Sequence, residues 1–415
     1  MNDLTTLFLI ALALSSGIEF WLTSRQVNHV KANRETVPSA FSTTITPEAH
    51  QKAADYTVSK SRLGNTDRVI SIIVLLAFTL GGGISALQSV WDSFDLSAMV
   101  TGIGLILSVM LLMQLVELPL TLYQTFVTEE QFGFNRNTPV QFAKDFLIQM
   151  VLGLALGIPL LALILWVMES VGSYWWLLAW AIIMGFSTLM SWAFPTFIAP
   201  LFNKFTPLPD ATLKERIEAL LTRCGFKSEG IYVMDGSKRS GHGNAYFTGI
   251  GDSKRIVFFD TLVDSLEHDE LEAVLAHELG HFKRRHVIKM LITSATLSLA
   301  GFATLGWLSS QDWFYSGLGV SGGHSNATAL LLFMMVAPTF TAFLKPIMAY
   351  MQRRYEFEAD DFAASHTQSR HLISALVKLY RENASTLTPD PLYAAFHYSH
   401  PPAAVRIANL AARAS

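Results

Sequence analysis

The residues best suited to chemistry are His277 and His281, which lie four positions apart with Glu278 next to the first. On an α-helix, positions i and i+4 differ by about 40° around the axis, so both imidazoles project from one face. Both can then bind one Zn²⁺ at about 2.0–2.1 Å. Glu278 is placed beside the metal, where its carboxylate can take a proton from an activated water. The spacing predicts a hydrolytic metal centre. The alternative is a surface helix with solvated side chains.

A catalytic zinc site takes three protein ligands and leaves a position for water. The third ligand is predicted in the segment RRYEFEADDFAAS, where Glu356 and Asp360 are again i and i+4 on an expected helix. Glu356 would bind the metal, and Asp360 would accept the free N–H of a ligand histidine, which fixes its tautomer. Glu358 and Asp361 are rival candidates. A solvated helix face would explain the same carboxylates without a metal.

The helix that carries the two histidines is expected to begin at acidic residues and to end at a membrane. Asp269, Glu270 and Glu272 favour a helix start, because carboxylates stabilise the positive end of the helix dipole. Apolar residues at helical spacing predict one buried face: Leu271, Val274, Leu275 and Leu279. A basic cluster at 283–285 and a long apolar run follow, so His286 is interpreted as a polar residue at the membrane boundary.

Composition indicates a membrane protein. Of 415 residues, 51% are hydrophobic and 15% are charged, whereas a soluble domain carries about 25% charged residues. The net charge of −3 gives no reason to expect nucleic acid as a partner. The single cysteine, Cys224, excludes an intrachain disulfide framework and a cysteine-based metal cluster. Its side chain is expected to be buried.

Apolar stretches long enough to cross a bilayer need about 17–25 residues. Seven occur, near 4–22, 69–87, 96–118, 146–168, 174–194, 287–308 and 327–350. The first lacks the basic start of a secretory signal, so it is expected to be retained as a span. The tract from about residue 351 is expected to be a polar, helical tail.

The distribution of Lys and Arg predicts an orientation. The segments near 88–95, 169–173 and 309–326, after the second, fourth and sixth predicted spans, contain neither residue, whereas the other connecting segments contain both. The positive-inside rule then places the amino terminus outside and both metal motifs on the cytoplasmic side. Glu19, Glu117 and Lys345 lie within spans or at their ends. We expect them to face protein or a wet cavity, or to reach the interface from a span end.

The motifs resemble those of the type I CAAX prenyl endopeptidases, integral-membrane zinc proteases first described as processing farnesylated proteins. HELGH at 277–281 and RRYEFEAD at 353–360 carry the resemblance, which extends over most of the chain. The further matching segments are SRQ at 24–26, ELPLTLYQTFVTEEQFGFNRNT at 117–138, FIAPLFNKFTPL at 197–208, GSKRSGHGNAYFTGIGDSKRIVFFDTL at 236–262 and HYSHPPAAVRIANL at 397–410. Seven spans is also the family's number, and the family encloses a large water-filled chamber. Small related heat-shock membrane proteases lack the segments at 117–138 and 197–208.

The resemblance implies a role for each matching residue of the metal motifs. His277, His281 and Glu356 would be the ligands of one Zn²⁺ per chain. Glu278 would be the catalytic base, and Asp360 would be the partner of a ligand histidine.

The resemblance also implies a substrate-binding strand and two oxyanion donors. Asn244, Ala245 and Tyr246, in the NAYF segment, would hold the backbone of an extended peptide at a strand edge. His400 and Arg406 would stabilise the oxyanion. Read without the family, His400 is equally suited to ending a helix, Arg406 to pairing with a carboxylate, and NAYF to a buried strand.

The predicted fold is an all-α polytopic membrane protein with seven transmembrane helices and a small α/β, gluzincin-like catalytic region on the cytoplasmic side. Four regions are expected along the chain. They are 1–202 with the first five spans, 203–286 with the edge strand and metal helix, 287–350 with the last two spans, and 351–415 with the third ligand and the oxyanion donors.

The predicted function is a membrane-embedded zinc endopeptidase of CAAX prenyl protease type, located in a bacterial inner membrane. Its partners would be the lipid bilayer and peptide or protein substrates, prenylated or membrane-inserted. One alternative is a broad quality-control protease of membrane proteins without prenyl specificity. A remote alternative is a transporter with a structural zinc, which the water-activating glutamate argues against.

Overall fold

The computed structural model describes residues 2–226, 230–248, 255–320 and 324–414, and most of this chain is helical. Within these ranges the α-helices are α1 (Asp3–Ala32), α2 (Pro47–Phe78), α3 (Gly83–Asp92), α4 (Ala98–Tyr123), α5 (Glu129–Gln131), α6 (Pro139–Ser170), α7 (Trp175–Ala193), α8 (Ala199–Phe202), α9 (Ala211–Cys224), α10 (Asp260–Ser265), α11 (His268–Lys283), α12 (His286–Leu308), α13 (Asp312–Gly317), α14 (Asn326–Thr341), α15 (Lys345–His366), α16 (Ser369–Glu382), α17 (Pro391–His397) and α18 (Ala403–Ala414). The strands are β1 (Phe205–Pro207), β2 (Gly230–Met234), β3 (Ala245–Thr248) and β4 (Arg255–Phe259). Short π-helical or 3-10 segments lie at Gln124–Thr128, Gly172–Tyr174, Phe194–Ile198, Gly236–Lys238 and Ala342–Leu344.

Several helical segments are long and apolar enough to cross a membrane. In the described part of the chain they are Asp3–Ala32, Ala98–Gln131, Pro139–Ser170, Gly172–Phe202, His286–Leu308 and Asn326–His366. They contain all the predicted spans except the second. Large apolar side chains such as Leu7, Leu147 and Ile292 are exposed on these helices. In a bilayer such a surface faces hydrocarbon, so it needs no protein partner.

The second predicted span is broken. Its residues fall in α2 and α3, which meet at 52°, and counting this bent pair as one span brings the number of candidate spans to seven. The break occurs at a run of glycines, where Gly82 has a φ of +77°, a conformation that favours glycine. A Cβ on Gly81 would lie 2.7 Å from the carbonyl oxygen of Ala77, so this turn leaves no room for a larger residue.

The last predicted span continues into the polar tail. α14 passes through the 3-10 turn at Ala342–Leu344 into α15, and together they form one candidate span, Asn326–His366. The tail predicted from about residue 351 therefore begins inside a helix that starts in the membrane region. This continuity holds Glu356, on α15, at a fixed height relative to the last span.

A small mixed sheet lies outside the membrane helices. Its strand order is β1-β2-β4-β3, in which β2 and β4 are parallel and the outer strands are antiparallel to their neighbours. Buried side chains of the sheet and of α9, α11 and α16 form one core, which includes Phe258, Ile217 and Leu275. The predicted small α/β region is confirmed. Cys224 is buried in this core, as expected. The four-part division of the chain stays a prediction.

Candidate metal centre

α11 begins at a capping box, in which Glu267 and Glu270 each bond the backbone N–H of the other's position. The Glu270 carboxylate accepts the Glu267 N–H at 2.8 Å. It also accepts bonds from Ser374 Oγ at 2.6 Å and Lys378 Nζ at 2.8 Å, both on α16. The acidic helix start expected from the sequence is present. Through Glu270, this helix start also fixes α11 against α16.

His277 and His281 project from one face of α11 toward Glu356 of α15. Their Nε2 atoms lie 3.2 Å apart. Glu356 Oε2 is 3.5 Å from His277 Nε2, and Oε1 is 3.3 Å from His281 Nε2. The three potential ligand atoms all lie within 4.8 Å of one another, so one ion at about 2.0–2.2 Å from each can bridge them. The structure brings the three predicted ligands together.

The chemistry of this cluster fits a metal ion. Glu356 Oε2 is buried, and within the described ranges it has no hydrogen-bond partner. Leaving a buried carboxylate oxygen without a donor is costly, and a divalent cation would satisfy it. Two imidazole nitrogens and one carboxylate form a donor set typical of catalytic zinc sites, which keep a fourth position for water.

Asp360 lies behind His277 and is fully buried. Its Oδ1 is 2.9 Å from His277 Nδ1. Arg406 of α18 donates from Nε and Nη2 to the two Asp360 oxygens at 2.9 and 2.5 Å, and its Nη1 lies 3.4 Å from Glu356 Oε2. The pairing of Arg406 with a carboxylate, one of the two alternatives, is therefore present. The oxyanion role of Arg406 stays a prediction.

These carboxylates control the charge of His277. Burial lowers the pKa of His277, but the neighbouring carboxylates of Asp360 and Glu356 outweigh burial and raise that pKa to about 9. The bond from Nδ1 to Asp360 leaves Nε2 facing Glu356 and His281. A metal ion that displaces the Nε2 proton would meet a ring already held in the orientation that ligation requires.

His281 has a relay of its own, which sequence reasoning missed. Its Nδ1 lies 3.0 Å from His286 Nδ1, and His286 Nε2 lies 3.0 Å from Glu358 Oε2. His286 is 1% exposed and stacks on Tyr355, with ring centroids 4.4 Å apart. The interpretation of His286 as a residue of the membrane boundary overlooked this contact. Its position five residues after a candidate ligand was the available signal.

Glu358 and Asp361, the rival ligands, point elsewhere. Glu358 contacts His286, and Asp361 lies 2.8 Å from Nε of Arg413. The structure therefore favours Glu356 among the carboxylates of this segment.

Gly280, in the middle of the HELGH motif, allows α11 to approach α15 closely. A Cβ at this position would lie 2.9 Å from Cα and 3.0 Å from the carbonyl oxygen of Ala359. Both are backbone atoms, which cannot move aside without shifting a helix. The distance between the two ligand-bearing helices therefore depends on the absence of a side chain at Gly280.

Two further predicted site residues lie beside ligands, Glu278 next to His277 in the chain and His400 next to Glu356 in space. Glu278 is half-buried on α11. His400 is 61% exposed, with its Nε2 3.4 Å from Glu356 Oε1. It lies between α17 and α18, not within a helix. The exposed His400 is thus available to a molecule that approaches Glu356, and the role of Glu278 stays a prediction.

The NAYF segment forms a sheet edge rather than a buried strand. In the described sheet β3 pairs with β4 alone, with Ala245 opposite Phe258 and Tyr246 opposite Val257. Asn244 precedes the strand, is exposed, and accepts the Ala245 N–H on Oδ1 at 2.8 Å. Residues 249–254, which belong to the matching segment at 236–262, lie outside the described residues.

A partly buried network of polar side chains anchors the start of this edge strand. Asn383 Oδ1 accepts the Gly243 N–H at 3.1 Å and lies 3.2 Å from His242 Nδ1. His242 Nε2 is 3.5 Å from Glu129 Oε2 and 3.4 Å from the Tyr56 hydroxyl. The sequence alone assigns a role to none of these residues. These polar residues are far apart in the sequence and show no spacing that would predict their contact.

The chain matches two protein families in succession. Residues 26–204 match the family described as CAAX prenyl protease N-terminal, five membrane helices. Residues 207–414 match peptidase family M48.

Similarity extends over nearly the whole chain. A CAAX prenyl protease 1 homolog of Dictyostelium discoideum is 34% identical over 410 residues, covering 94% of this chain and 93% of the relative. CAAX prenyl protease 1 of Saccharomyces cerevisiae is 33% identical and covers 95% of this chain and 92% of its own. The crystal structure of S. mikatae Ste24p superposes with a TM-score of 0.92 at 31% identity, covering 98% of this chain and 99% of that chain.

Proposed function

Because this chain belongs to peptidase family M48 and is a membrane metalloendopeptidase of the CAAX prenyl protease type, we propose that Zn²⁺, bound by His277, His281 and Glu356, forms its catalytic centre. One observation carries the proposal. Ligand atoms of His277 and His281 on α11 and of Glu356 on α15 lie within 4.8 Å of one another, although the candidate span His286–Leu308 and the start of the next, Asn326–His366, come between them in the chain. Among the described residues, the buried Glu356 Oε2 has no hydrogen-bond partner.

Zn²⁺ at this site would polarise the scissile carbonyl and lower the pKa of a water. Glu278 takes the proton of the attacking water and returns it to the leaving amine. We assign the oxyanion contact first to His400, because it is exposed beside Glu356. Arg406 comes second, since it is buried, its Nε and Nη2 already donate to Asp360, and its Nη1 lies near Glu356.

The substrate backbone is proposed to extend along β3. An edge strand offers unpaired N–H and C=O groups, and an extended peptide can add to it by main-chain hydrogen bonds. The Asn244 carbonyl accepts the Phe259 N–H, so the backbone groups of Tyr246, two residues later, also face β4, and those of Ala245 face the open edge. Ala245 would supply its backbone groups to the substrate, with a substrate carbonyl replacing Asn244 Oδ1 as acceptor of the Ala245 N–H. The side chains of Tyr246 and exposed Asn244 would contact the substrate, Asn244 by bonding an amide. The network of His242 and Asn383 supports this assignment, because it fixes the backbone directly before the strand.

The relatives are CAAX prenyl proteases by name, and we propose that this chain cleaves peptides that end in a comparable C-terminal motif. The active site is proposed to face the cytoplasm. A matched pair of peptides, one farnesylated and one not, tests the substrate. Preference for the farnesylated peptide is expected, and equal cleavage of both would favour a broad quality-control protease.

The mechanism is tested with Glu278→Gln in the full-length, detergent-solubilised protein. The variant should bind zinc with the wild-type stoichiometry but lose peptide cleavage by about 100-fold or more, since general base catalysis contributes about 10²–10⁴-fold. Metal analysis and peptide cleavage are measured on one preparation. Glu218→Gln, on the exposed face of α9, is the matched control and should retain full activity. Substantial proteolysis by Glu278→Gln would contradict the mechanism.

A further inference from the structure

A large cavity lies among the membrane helices, and on α15 its lining ends at Gln352, four residues before Glu356. Its volume is about 1370 Å³, and most of its lining side chains are apolar, from α1, α12, α14 and α15. On α15 the lining residues are Lys345, Met348, Ala349 and Gln352. Their i, i+3, i+4 and i+7 spacing defines one face of the helix.

This face of α15 leads to Glu356. Gln352 is one turn before Glu356. Eleven residues separate Lys345 from Glu356, which corresponds to about 20° around the helix axis and about 16 Å along it. Phe396 and His397, at the end of α17, also line the cavity and directly precede the segment that carries His400. The part of the cavity between Lys345 and Gln352 therefore leads toward the predicted zinc ligand, and the rest extends past Lys345 to Asn2 and Trp313.

The far end of this path carries a cluster of charged residues. Glu19 of α1 is 6% exposed and accepts bonds from Arg68 Nη2 at 2.9 Å and Lys345 Nζ at 2.8 Å. His397 Nε2 lies 3.4 Å from Glu19 Oε2. Burying one carboxylate between two cations satisfies Glu19 and holds both cations in place. Even with His397 neutral, the cluster carries a net charge of +1.

Lys345 and His397 are the members of the cluster that line the cavity, and of these two Lys345 is the permanent cation. Its side chain is 54% exposed, compared with 7% for that of Glu19. An ammonium group has three N–H donors, and Glu19 accepts one of them. Asp3 also lines the cavity, but it lies sixteen residues before Glu19 on α1, about 24 Å away along the helix. A cation in an apolar wall attracts an anion more strongly than one in water.

We propose that Lys345, held by Glu19 and Arg68, binds the C-terminal carboxylate of the peptide substrate, so that the enzyme measures its cleavage site from the end of the chain. An extended peptide spans about 3.3–3.6 Å per residue. Lys345 and Glu356 are about 16 Å apart along α15, and their side chains shorten the gap that a substrate must bridge. This gap corresponds to about three to five residues between the scissile bond and the carboxylate. This inference rests on the proposed zinc centre and adds a specificity residue to it.

The test compares two peptides that differ only in ending as a free acid or as a carboxamide, with the full-length enzyme. Wild type should cleave the acid with kcat/KM about 10-fold higher or more, mainly through KM, as the loss of a charge-assisted hydrogen bond implies. In Lys345→Met, kcat/KM for the acid peptide should fall to the value for the amide peptide, so that the preference is lost. For the amide peptide, kcat/KM should stay within about 2-fold of the wild-type value. Lys345→Arg should keep the preference. Lys144→Met, which removes an exposed lysine of α6, should change neither rate.

Each outcome decides the inference. Equal cleavage of both peptides by wild type overturns it, and so does an equal loss on both peptides in Lys345→Met, which would show a structural role only. Lys345→Met could fail to fold because Glu19 loses a partner. In that case the double variant Glu19→Gln/Lys345→Met, which removes both charges, is tested with the same two peptides, and an equal loss on both again overturns the inference. Cleavage of neither peptide by wild type would contradict the zinc centre itself, which separates failure of the proposed function from failure of this inference alone.

Discussion

At the scale of single residues, each ligand histidine has a carboxylate behind it. Asp360 contacts His277 directly, whereas Glu358 reaches His281 through His286. Such partners fix the tautomer and the ring plane of a metal ligand and raise its basicity. The site is therefore oriented on both sides before a metal ion binds.

Glu358→Gln should weaken metal binding, because His286 loses its charged acceptor and no longer orients His281. Loss of such a partner typically costs about 10–100-fold in metal affinity. Zinc affinity is measured by competition with a chromogenic chelator. Asp361→Asn is the control on the same helix, since Asp361 lies beside Arg413 rather than a ligand, and it should leave the affinity unchanged. Equal affinities for wild type and Glu358→Gln would show that His281 needs no relay.

At the scale of elements, the site depends on two helices and the turn that follows one of them. α11 ends at Lys283 with Arg284 as its C-cap residue, and Arg285 adopts a left-handed conformation with a φ of 57°. This conformation is uncommon for a residue with a side chain. It separates α11 from α12 and allows His286, the first residue of α12, to turn back onto His281.

Gly280→Ala should impair both packing and catalysis. The added methyl group meets the backbone of Ala359, and overpacking of this kind costs about 1–3 kcal/mol. Displacement of His277 and His281 from Glu356 should lower kcat/KM by about 10-fold or more, since a shift of about 1 Å can cost about 100-fold. Thermal unfolding and peptide cleavage are measured together.

Gly64→Ala is the matched control for this substitution. Gly64 lies within α2, and an added Cβ there has nothing within 4 Å. Alanine favours a helix interior over glycine by about 0.5–1 kcal/mol. The control should therefore be at least as stable as wild type and fully active. Wild-type activity in Gly280→Ala would show that the approach of α11 to α15 is not limiting.

At the scale of the whole molecule, the candidate site is assembled across the membrane region. α11 precedes the candidate span His286–Leu308, and Glu356 belongs to the helix that continues the last span. The histidines and the third ligand therefore meet only when both spans are inserted and packed. The cavity beside α15 shares this dependence, because its walls come from α1, α12 and α14 as well.

The proposed orientation can be checked with single cysteines. Ser310→Cys follows α12 in a segment predicted to lie outside, and an impermeant thiol reagent should label it in intact cells. Lys214→Cys, on exposed α9, should be labelled only after the membrane is opened. The unmodified protein is the control, because its single cysteine, Cys224, is 3% exposed. Labelling of Lys214→Cys in intact cells would reverse the orientation.

Local patterns in the sequence determined the parts of this protein that depend on near neighbours in the chain. Helical periodicity and hydrophobicity act over a few turns of the chain. They predict the shared face of His277 and His281, the acidic start of α11 and the six continuous candidate spans. The i, i+4 spacing of Glu356 and Asp360 likewise favours Glu356 as the third ligand, but it does not exclude Glu358 or Asp361 as rival ligands.

Only the tertiary structure decided which distant groups meet. Glu356 rather than Glu358 faces the histidines, because the packing of α11 on α15 around Gly280 sets which side of α15 is presented. The broken second span depends on a glycine turn whose bend the hydropathy of its residues does not reveal. The contacts of His286 with Glu358, and of Lys345 with Glu19, join residues far apart in the sequence. Such contacts leave no periodic trace, since a single polar residue carries no information about the partner that the fold will bring to it.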